Sequence, residues 1–205
     1  MLFLAFIDVF AQEREFQIWN LNNACTQLTN RMTLGVKEKM HFTPGTGQVD
    51  LVLGDVSVTY DVNAWLEAGV GGRLMYFRNE NGWMQEKRPM LFGDISGSYH
   101  LIKLDFSNRI EYRFFESGGD HFRHRQMFTV EMPPFPVSWF SVYLAEEGFI
   151  RFDRQRLHLA RVYAGTRLQC SETLDMKVYY VLQKQKNSAV WFTSDVVGLN
   201  MYVSF

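Results

Sequence analysis

Apolar and polar residues alternate along the chain from residue 13 to its end. In the segment KLDFSNRIEYRF (103–114), every second position from Leu104 to Phe114 is apolar or aromatic except Asn108, and the positions between are charged or polar. Successive side chains of a β-strand point to opposite faces, so a period of two predicts strands. No segment shows the 3.6-residue period of an amphipathic helix. The pattern therefore predicts an all-β fold.

The length of the alternating segments favours strands that cross a membrane. They run about ten to fourteen residues, whereas strands of soluble proteins average about five or six. At about 3.3 Å per residue and a tilt of about 40°, such strands rise about 25 to 30 Å, which matches the apolar band of an outer-membrane barrel.

The links between the segments predict short turns on one rim and long polar loops on the other, as in outer-membrane barrels. The predicted short links are 61–63, 101–102, 133–136 and 171–173, and the predicted long links are 43–48, 79–87, 116–121, 148–155 and 184–188. Aromatic residues near the segment ends are expected to form interfacial girdles; they are Trp19, Phe42, Tyr60, Trp65, Tyr76, Trp83, Tyr99, Trp139 and Trp191.

We therefore predict one domain over residues 12–205, a transmembrane antiparallel up-and-down β-barrel. Eleven strands can be drawn from the pattern, but single-chain bacterial barrels have even numbers of strands. We expect twelve, with the additional strand near residues 13–30, and ten is the alternative. Alternation does not say which face is inside, so a soluble lipocalin-like carrier with an apolar interior stays open as an alternative.

Composition excludes two other classes of protein. The chain has 21 basic and 22 acidic residues, so no net field favours nucleic acid as a partner. No run of about 20 apolar residues is present, which excludes a helical membrane protein.

The first eleven residues, MLFLAFIDVFA (1–11), are apolar apart from Asp8 and end on the small Ala11. Such a segment is typical of a signal peptide, here cleaved before Gln12. It lacks a basic beginning, so we interpret it as a truncated signal peptide, and an ordinary buried first strand is the alternative. Cys25 and Cys170 form no CxxC pair, and the sequence leaves open whether they are bridged.

Three stretches carry a resemblance to a known family: FQIWN (16–20), NRIEYRF (108–114) followed by FRHRQ (122–126), and the final aromatic strand. With the long alternating strands, they resemble the small Gram-negative outer-membrane-like barrels catalogued as domain of unknown function 2490. The resemblance covers most of the chain after residue 12 and implies a single barrel in the outer membrane. It implies no activity, because the family has none assigned.

The last ten residues, VVGLNMYVSF (196–205), are apolar at every second position counted back from the end. The alternating set is Val197, Leu199, Met201, Val203 and Phe205. This tail resembles the insertion signal that the barrel-assembly machinery reads. We expect it to be the closing strand of a monomeric barrel in contact with outer-membrane lipids.

Charged residues gather on the polar face of neighbouring strands, which is the lumen of a membrane barrel. The set is Glu67, Arg73, Asp94, Lys103, Asp105, Arg109, Glu111, Arg113, Arg123, Arg125, Glu131, Arg161 and Arg167. Two interpretations remain open. Opposite charges could pair and plug a narrow barrel, or the arginines could line a small pore that favours anions.

A lipid hydrolase is the alternative from a different functional class. Such an enzyme would act on phospholipid or lipid A with a serine and a histidine, for which His124 and His158 are the candidates. No serine lies in a GxSxG context and no HExxH motif occurs. Asp120, His121 and His124 do not have the spacing of a standard metal site. We therefore expect no catalytic site, no metal and no cofactor.

Overall fold

A computed structural model describes residues 14–79, 82–153, 156–187 and 190–205, and these form eleven β-strands. The strands are β1 (Glu15–Thr29), β2 (Met32–Thr43), β3 (Gln48–Asn63), β4 (Leu66–Asn79), β5 (Gly82–Tyr99), β6 (Ile102–Phe115), β7 (His121–Glu131), β8 (Phe140–Arg151), β9 (Arg156–Gln169), β10 (Leu174–Asn187) and β11 (Val190–Ser204). Nowhere in the described ranges does a helix have the length and hydropathy needed to cross a membrane. The predicted signal peptide, residues 1–11, lies outside the described residues.

The strands follow one another around a closed barrel. Consecutive strands are antiparallel, and β1 closes the barrel in parallel against β11, with Ile18 opposite Val197. The predicted all-β barrel is confirmed. The expected count of twelve is wrong, because residues 15–29 form a single strand. An odd number of alternating strands leaves the first and the last pointing the same way, so the closing pair is parallel.

The strands are 11 to 18 residues long, as a membrane-crossing barrel needs. The N-terminal rim carries the start of β1, the connections 44–47 and 116–120, and the strand ends at Asn79, Gly82, Arg151, Arg156, Asn187 and Val190. The C-terminal rim carries the end of β11 and the connections 30–31, 64–65, 100–101, 132–139 and 170–173. The predicted contrast between long and short links is therefore wrong. Strands β5 and β8 extend through residues 82–87 and 148–151, which the pattern assigned to loops.

The outer wall of the barrel is apolar along much of its circumference. Val70 on β4, Leu91 on β5 and Ile110 on β6 lie side by side in register, and Leu91 is 61% exposed. Val36 on β2 lies opposite Val56 on β3, and both are exposed. A soluble lipocalin-like carrier needs the opposite orientation, with its apolar face inside, so the structure contradicts that alternative.

Aromatic residues fill part of the lumen on the side of β1 and β8–β11. The cluster comprises Trp19, Tyr143, Ala145, Tyr163, Tyr179, Val181 and Val196, with Met127 packed against it. Gly198 makes room for it, because a Cβ at this position would lie 2.2 Å from the ring of Tyr179. The expectation that Trp19 belongs to an interfacial girdle is wrong: its side chain is 1% exposed and stacks on His41 at 4.3 Å between ring centroids.

Candidate functional site

The half of the lumen nearer the N-terminal rim contains a cavity of about 780 Å³. Nine arginines and three lysines line it: Lys37, Lys39, Arg73, Arg88, Arg109, Arg113, Arg123, Arg125, Arg151, Arg156, Arg161 and Lys186. No Asp or Glu of the described residues is among its lining side chains. We call this space the basic vestibule.

Carboxylates lie behind these cations in the barrel wall. Glu86, Glu111 and Glu147 are each 0% exposed. Glu86 accepts hydrogen bonds from Arg88 at 2.9 Å and from Arg113 at 2.8 Å. Because the carboxylates are fully enclosed, the two or three guanidinium groups around each one compensate charge that would otherwise cost several kcal/mol.

The other two carboxylates repeat this arrangement. Glu111 pairs with Arg123, whose Nε donates at 3.0 Å, and lies 3.7 Å from Arg88. Glu147 pairs with Arg125, lies 3.0 Å from Arg161, and accepts a hydrogen bond from the Tyr163 hydroxyl at 2.7 Å. These three carboxylates therefore hold five arginines of the basic vestibule in place: Arg88, Arg113, Arg123, Arg125 and Arg161.

Aromatic rings fix the same cations from inside the lumen. The guanidinium carbons of Arg123, Arg125 and Arg161 lie 4.8, 5.6 and 5.0 Å from the centroid of the Phe149 ring. Lys39 Nζ lies 3.8 Å above the Trp19 ring. Cation–π contacts of this kind attract the charge to the ring face, which orders the side chain without neutralising it.

A second cavity of about 270 Å³ lies toward the C-terminal rim along β1–β6. Lys37 and Arg109 line both cavities. Beside them, Arg73 donates to Asp55 through two hydrogen bonds of 2.6 and 2.7 Å, with Arg73 facing the basic vestibule and Asp55 the smaller cavity. The two spaces thus meet at a partition that contains two cations and one ion pair.

The lumen near the C-terminal rim has a more acidic lining. Glu67 and Asp94 line the smaller cavity and lie opposite each other on β4 and β5. Glu131 accepts from Ser141 at 2.8 Å and lies 3.4 Å from Arg167, which also pairs with Asp175 at 2.7 Å. The interior charge therefore changes from basic to mixed and acidic along the barrel axis.

The thirteen predicted lumen residues divide between these regions. Arg73, Arg113, Arg123, Arg125 and Arg161 line the basic vestibule, Arg109 lines both cavities, and Glu111 lies in the wall behind them. Glu67 and Asp94 line the smaller cavity, whereas Glu131 and Arg167 pair near the C-terminal rim. Asp105 is half-buried near that rim, and Lys103 is exposed there.

The five residues of the predicted insertion signal occupy the alternate positions of β11 that face outward, and the last of them, Phe205, directly follows the strand. Val197 is 41% exposed on the outer wall, and Phe205 is 81% exposed at the C-terminal rim. Leu199, Met201 and Val203 lie between them and are half-buried. Val196, one position before this set, is 0% exposed and faces the aromatic cluster.

Sequence reasoning missed nine charged residues of the site: Lys37, Lys39, Asp55, Glu86, Arg88, Glu147, Arg151, Arg156 and Lys186. Lys37, Lys39 and His41 occupy alternate positions on the polar face of β2, and this alternation was enough to predict that they face the lumen. Glu86 was missed because the pattern placed residues 79–87 in a loop, whereas β5 begins at Gly82. Glu147 adjoins the segment 148–155, also assigned to a loop, although β8 continues to Arg151.

The two histidines considered for hydrolysis lie on opposite faces of the barrel wall. His124 lies on the outer wall with its Nε2 3.2 Å from the Asn108 Oδ1, and His158 lines the basic vestibule. Within the described ranges, neither ring is hydrogen-bonded to a serine hydroxyl. Asp120 and His121 bind backbone groups of their own loop, and the described residues contain no group of three metal-ligating side chains. Cys25 and Cys170 are both free.

Polar side chains interrupt the apolar outer wall at mid-strand in two places. Asn22 on β1 lies opposite the exposed Glu38 on β2. On the other side of the barrel, Asn108 on β6 lies opposite Gln126 on β7, and Glu146 on β8 follows the same outward parity. These are the positions of the wall where contact with lipid would be least favourable.

Comparisons with known proteins identify a family and a similar solved structure. A model of the family described as "Protein of unknown function (DUF2490)" matches residues 16–193. No curated protein matches the chain. An anion-selective porin from Comamonas acidovorans is similar at 13% identity and a TM-score of 0.44, over 85% of this chain and 53% of the porin. The chain thus spans about half the length of that porin, and at this TM-score the likeness carries no inference about function.

Proposed function

The chain belongs to the family described as "Protein of unknown function (DUF2490)", and from that premise we propose that it is a Gram-negative outer-membrane barrel that forms a narrow pore for small anions. The observation that carries the proposal is that Lys37 and Arg109 line both cavities. The two spaces in the lumen therefore meet at cationic side chains, where a passing ion would be selected by its charge.

The outer wall supports the membrane location. Val36, Val56, Val70 and Leu144 are 50 to 62% exposed at mid-strand. Contiguous apolar surface of this kind on a soluble monomer would be an aggregation hazard, whereas lipid covers it in a membrane barrel. Exposed aromatics such as Trp65 and Tyr99 near the C-terminal rim and Trp83 near the N-terminal rim suit the two interfaces.

The charge of the basic vestibule supports selection of anions. Twelve cations line it, and five carboxylates among the described residues pair with them, which leaves an excess of seven positive charges. Low-dielectric walls concentrate this field along the lumen and raise the local concentration of anions. Cations from solution are repelled from the same space.

The aromatic cluster supports a narrow pore rather than a wide one. Trp19, Tyr163 and Tyr179 occupy the lumen on the side of β1 and β8–β11. The path between the cavities is thereby confined to the side of β2–β6, past Lys37 and Arg109. Small inorganic anions fit this account, and larger solutes do not.

The same proposal covers the partners. We infer a monomer surrounded by outer-membrane lipids, inserted by the barrel-assembly machinery through the alternating residues from Val197 to Phe205. The closed barrel supports a monomer, because β1 pairs with β11 of the same chain and leaves no strand edge open.

Planar-bilayer conductance of the refolded protein tests the pore. We expect discrete current steps in the wild type. The double variant Lys37→Gln/Arg109→Gln should lose much of its preference for anions, because it removes both cations of the partition while Glu111 keeps Arg123 and Arg88 as partners. Lys103→Gln, at the exposed C-terminal rim, is the matched control and should leave the current unchanged.

A plugged structural barrel is the second candidate, and the ion pairs of Glu86, Glu111 and Glu147 together with the aromatic cluster favour it. Folded, inserted protein that carries no current would establish it in place of the pore.

We propose no enzymatic activity. Hydrolysis of phospholipid or lipid A that disappears in His124→Ala would contradict this.

A further inference from the structure

We propose that the basic vestibule is a saturable binding site for a small soluble molecule that carries two or more phosphoryl groups. This inference deepens the proposed function, because it assigns a ligand class to the mouth of the same lumen. It stands on the built arrangement of arginines and lysines, and it does not require that the bound molecule pass through the barrel.

The first observation is that the guanidinium groups are already engaged on one edge. Arg73, Arg113 and Arg123 each use Nε and Nη2 to bind a carboxylate: Asp55, Glu86 and Glu111, respectively. Their Nη1 groups have no hydrogen-bond partner in the described parts of the chain. A guanidinium fixed in this way has a second face of donors ready for an oxyanion, so little entropy is lost when the ligand binds.

The second observation is the convergence of three guanidinium groups on one ring. Arg123, Arg125 and Arg161 all lie within 5.6 Å of the Phe149 centroid. Like charges brought this close repel one another, and Glu111 and Glu147 offset only part of the repulsion. A bound phosphoryl group would relieve it through charge-assisted hydrogen bonds from more than one arginine.

The third observation is a set of cations that carboxylates compensate weakly or not at all. Lys37 and Lys39 have no carboxylate within salt-bridge distance among the described residues. Arg109 has an enclosed Nη1 that makes no hydrogen bond and lies 3.8 Å from Glu111, a carboxylate that also pairs with Arg88 and Arg123. Lys37 and Arg109 lie at the partition, at the floor of the basic vestibule. A ligand that filled the space would therefore meet positive charge at its far end as well as around its sides.

The excess charge and the volume together select the ligand class. A single monovalent anion would leave most of the excess of seven positive charges uncompensated. A compound with several phosphoryl groups carries enough charge and enough acceptor oxygens to engage arginines on different strands. The volume of about 780 Å³ lies within the range of small-molecule sites, about 300 to 1,000 Å³.

Calorimetric titration of the refolded protein in detergent micelles tests the site. The probe is inorganic tripolyphosphate, with inorganic phosphate and chloride as comparison anions at constant ionic strength. We expect tripolyphosphate to bind with one molecule per barrel and at least about tenfold more tightly than phosphate, because it meets several fixed cations at once.

The double variant Lys37→Gln/Lys39→Gln should weaken tripolyphosphate binding by about tenfold or more. It removes two cations without leaving a carboxylate unpaired, so the fold should be retained. Lys103→Gln is the control and should bind as the wild type does. Equal affinity for tripolyphosphate and phosphate, no saturable binding by folded protein, or unchanged binding in the double variant would each overturn the inference.

The outcomes separate this site from the pore. Anion-selective current without saturable tripolyphosphate binding would overturn the site and leave the pore standing. Saturable binding by protein that carries no current would establish the site in a plugged barrel and overturn the pore.

Discussion

At the scale of single residues, each buried carboxylate of the lumen holds several neighbouring side chains in place. Glu147 contacts Arg125, Arg161 and Tyr163 with a side chain that is 0% exposed. Arg161 also donates to Gln183 at 2.7 Å and lies over the Trp19 ring, so one carboxylate connects the basic vestibule to the aromatic cluster. Removing its charge should therefore disturb both regions.

We expect Glu147→Gln to lower the free energy of unfolding by about 3–5 kcal/mol, because Arg125 and Arg161 lose the charge that compensates them. Urea unfolding in detergent micelles, followed by tryptophan fluorescence, measures the change. Glu116→Gln in an exposed loop is the matched control and should stay within about 0.5 kcal/mol of the wild type. Similar losses in both variants would contradict the role assigned to Glu147.

The residues of the site show how far alternation alone can predict a lumen. The parity of β6 and β7 is enough to place Arg109, Arg113, Arg123 and Arg125 on the lumen face. Parity cannot say which cation meets which carboxylate, since pairing depends on register between strands. Trp19 was misassigned because residue type outweighed parity: Ile18 faces outward, so the next side chain must face the lumen.

At the scale of single strands, one face is mainly apolar and the other mainly polar. The outward face determines whether lipid or water suits the surface of the barrel. On β10, Val178 and Tyr180 are 43 and 42% exposed, whereas Tyr179 and Val181 between them are buried. The pattern shows eleven segments, which is the number of strands in the structure, and the expected count of twelve came from the even-number rule of bacterial barrels. The predicted lengths of the links were wrong because the polar ends of strands such as β5 and β8 have the composition of loops.

A charge placed on the outer face of β10 tests its contact with lipid. Val178→Arg at mid-strand should cost about 2–4 kcal/mol of stability in lipid, because an arginine there must enter the apolar band. Val62→Arg, on the outer face of β3 near the C-terminal rim, is the matched control and should cost about 0–1 kcal/mol. Unfolding titrations in lipid vesicles measure both. Equal costs at the two heights would mean that no apolar band surrounds the barrel.

Glu38, the exposed carboxylate at mid-strand of β2, permits the reverse test, in which a charge is removed from the outer face. Replacing Glu38 by leucine should raise the stability of the inserted barrel by about 1 kcal/mol, because an exposed carboxylate at mid-strand is unfavourable against lipid. Glu172→Leu, in an exposed turn of the C-terminal rim, should give no gain. A loss of stability in Glu38→Leu, measured by the same vesicle titration, would show that this carboxylate does not face lipid.

At the scale of the whole molecule, positive and negative charges are separated along the barrel axis, although the net charge of the chain is only −1. The 21 basic and 22 acidic residues nearly cancel, yet the basic vestibule is lined by cations and the smaller cavity contains Glu67, Asp94 and Asp55. Composition could not reveal this polarity, because it depends on which segments fold toward the same rim.

The reversal potential across a planar bilayer tests the central claim most directly. With potassium chloride more concentrated on one side, current through the wild-type barrel should reverse at a potential of the sign that chloride sets, because chloride meets the cations Lys37 and Arg109 at the partition. A reversal potential of the sign that potassium sets would contradict the account, and so would folded, inserted protein that passes no current.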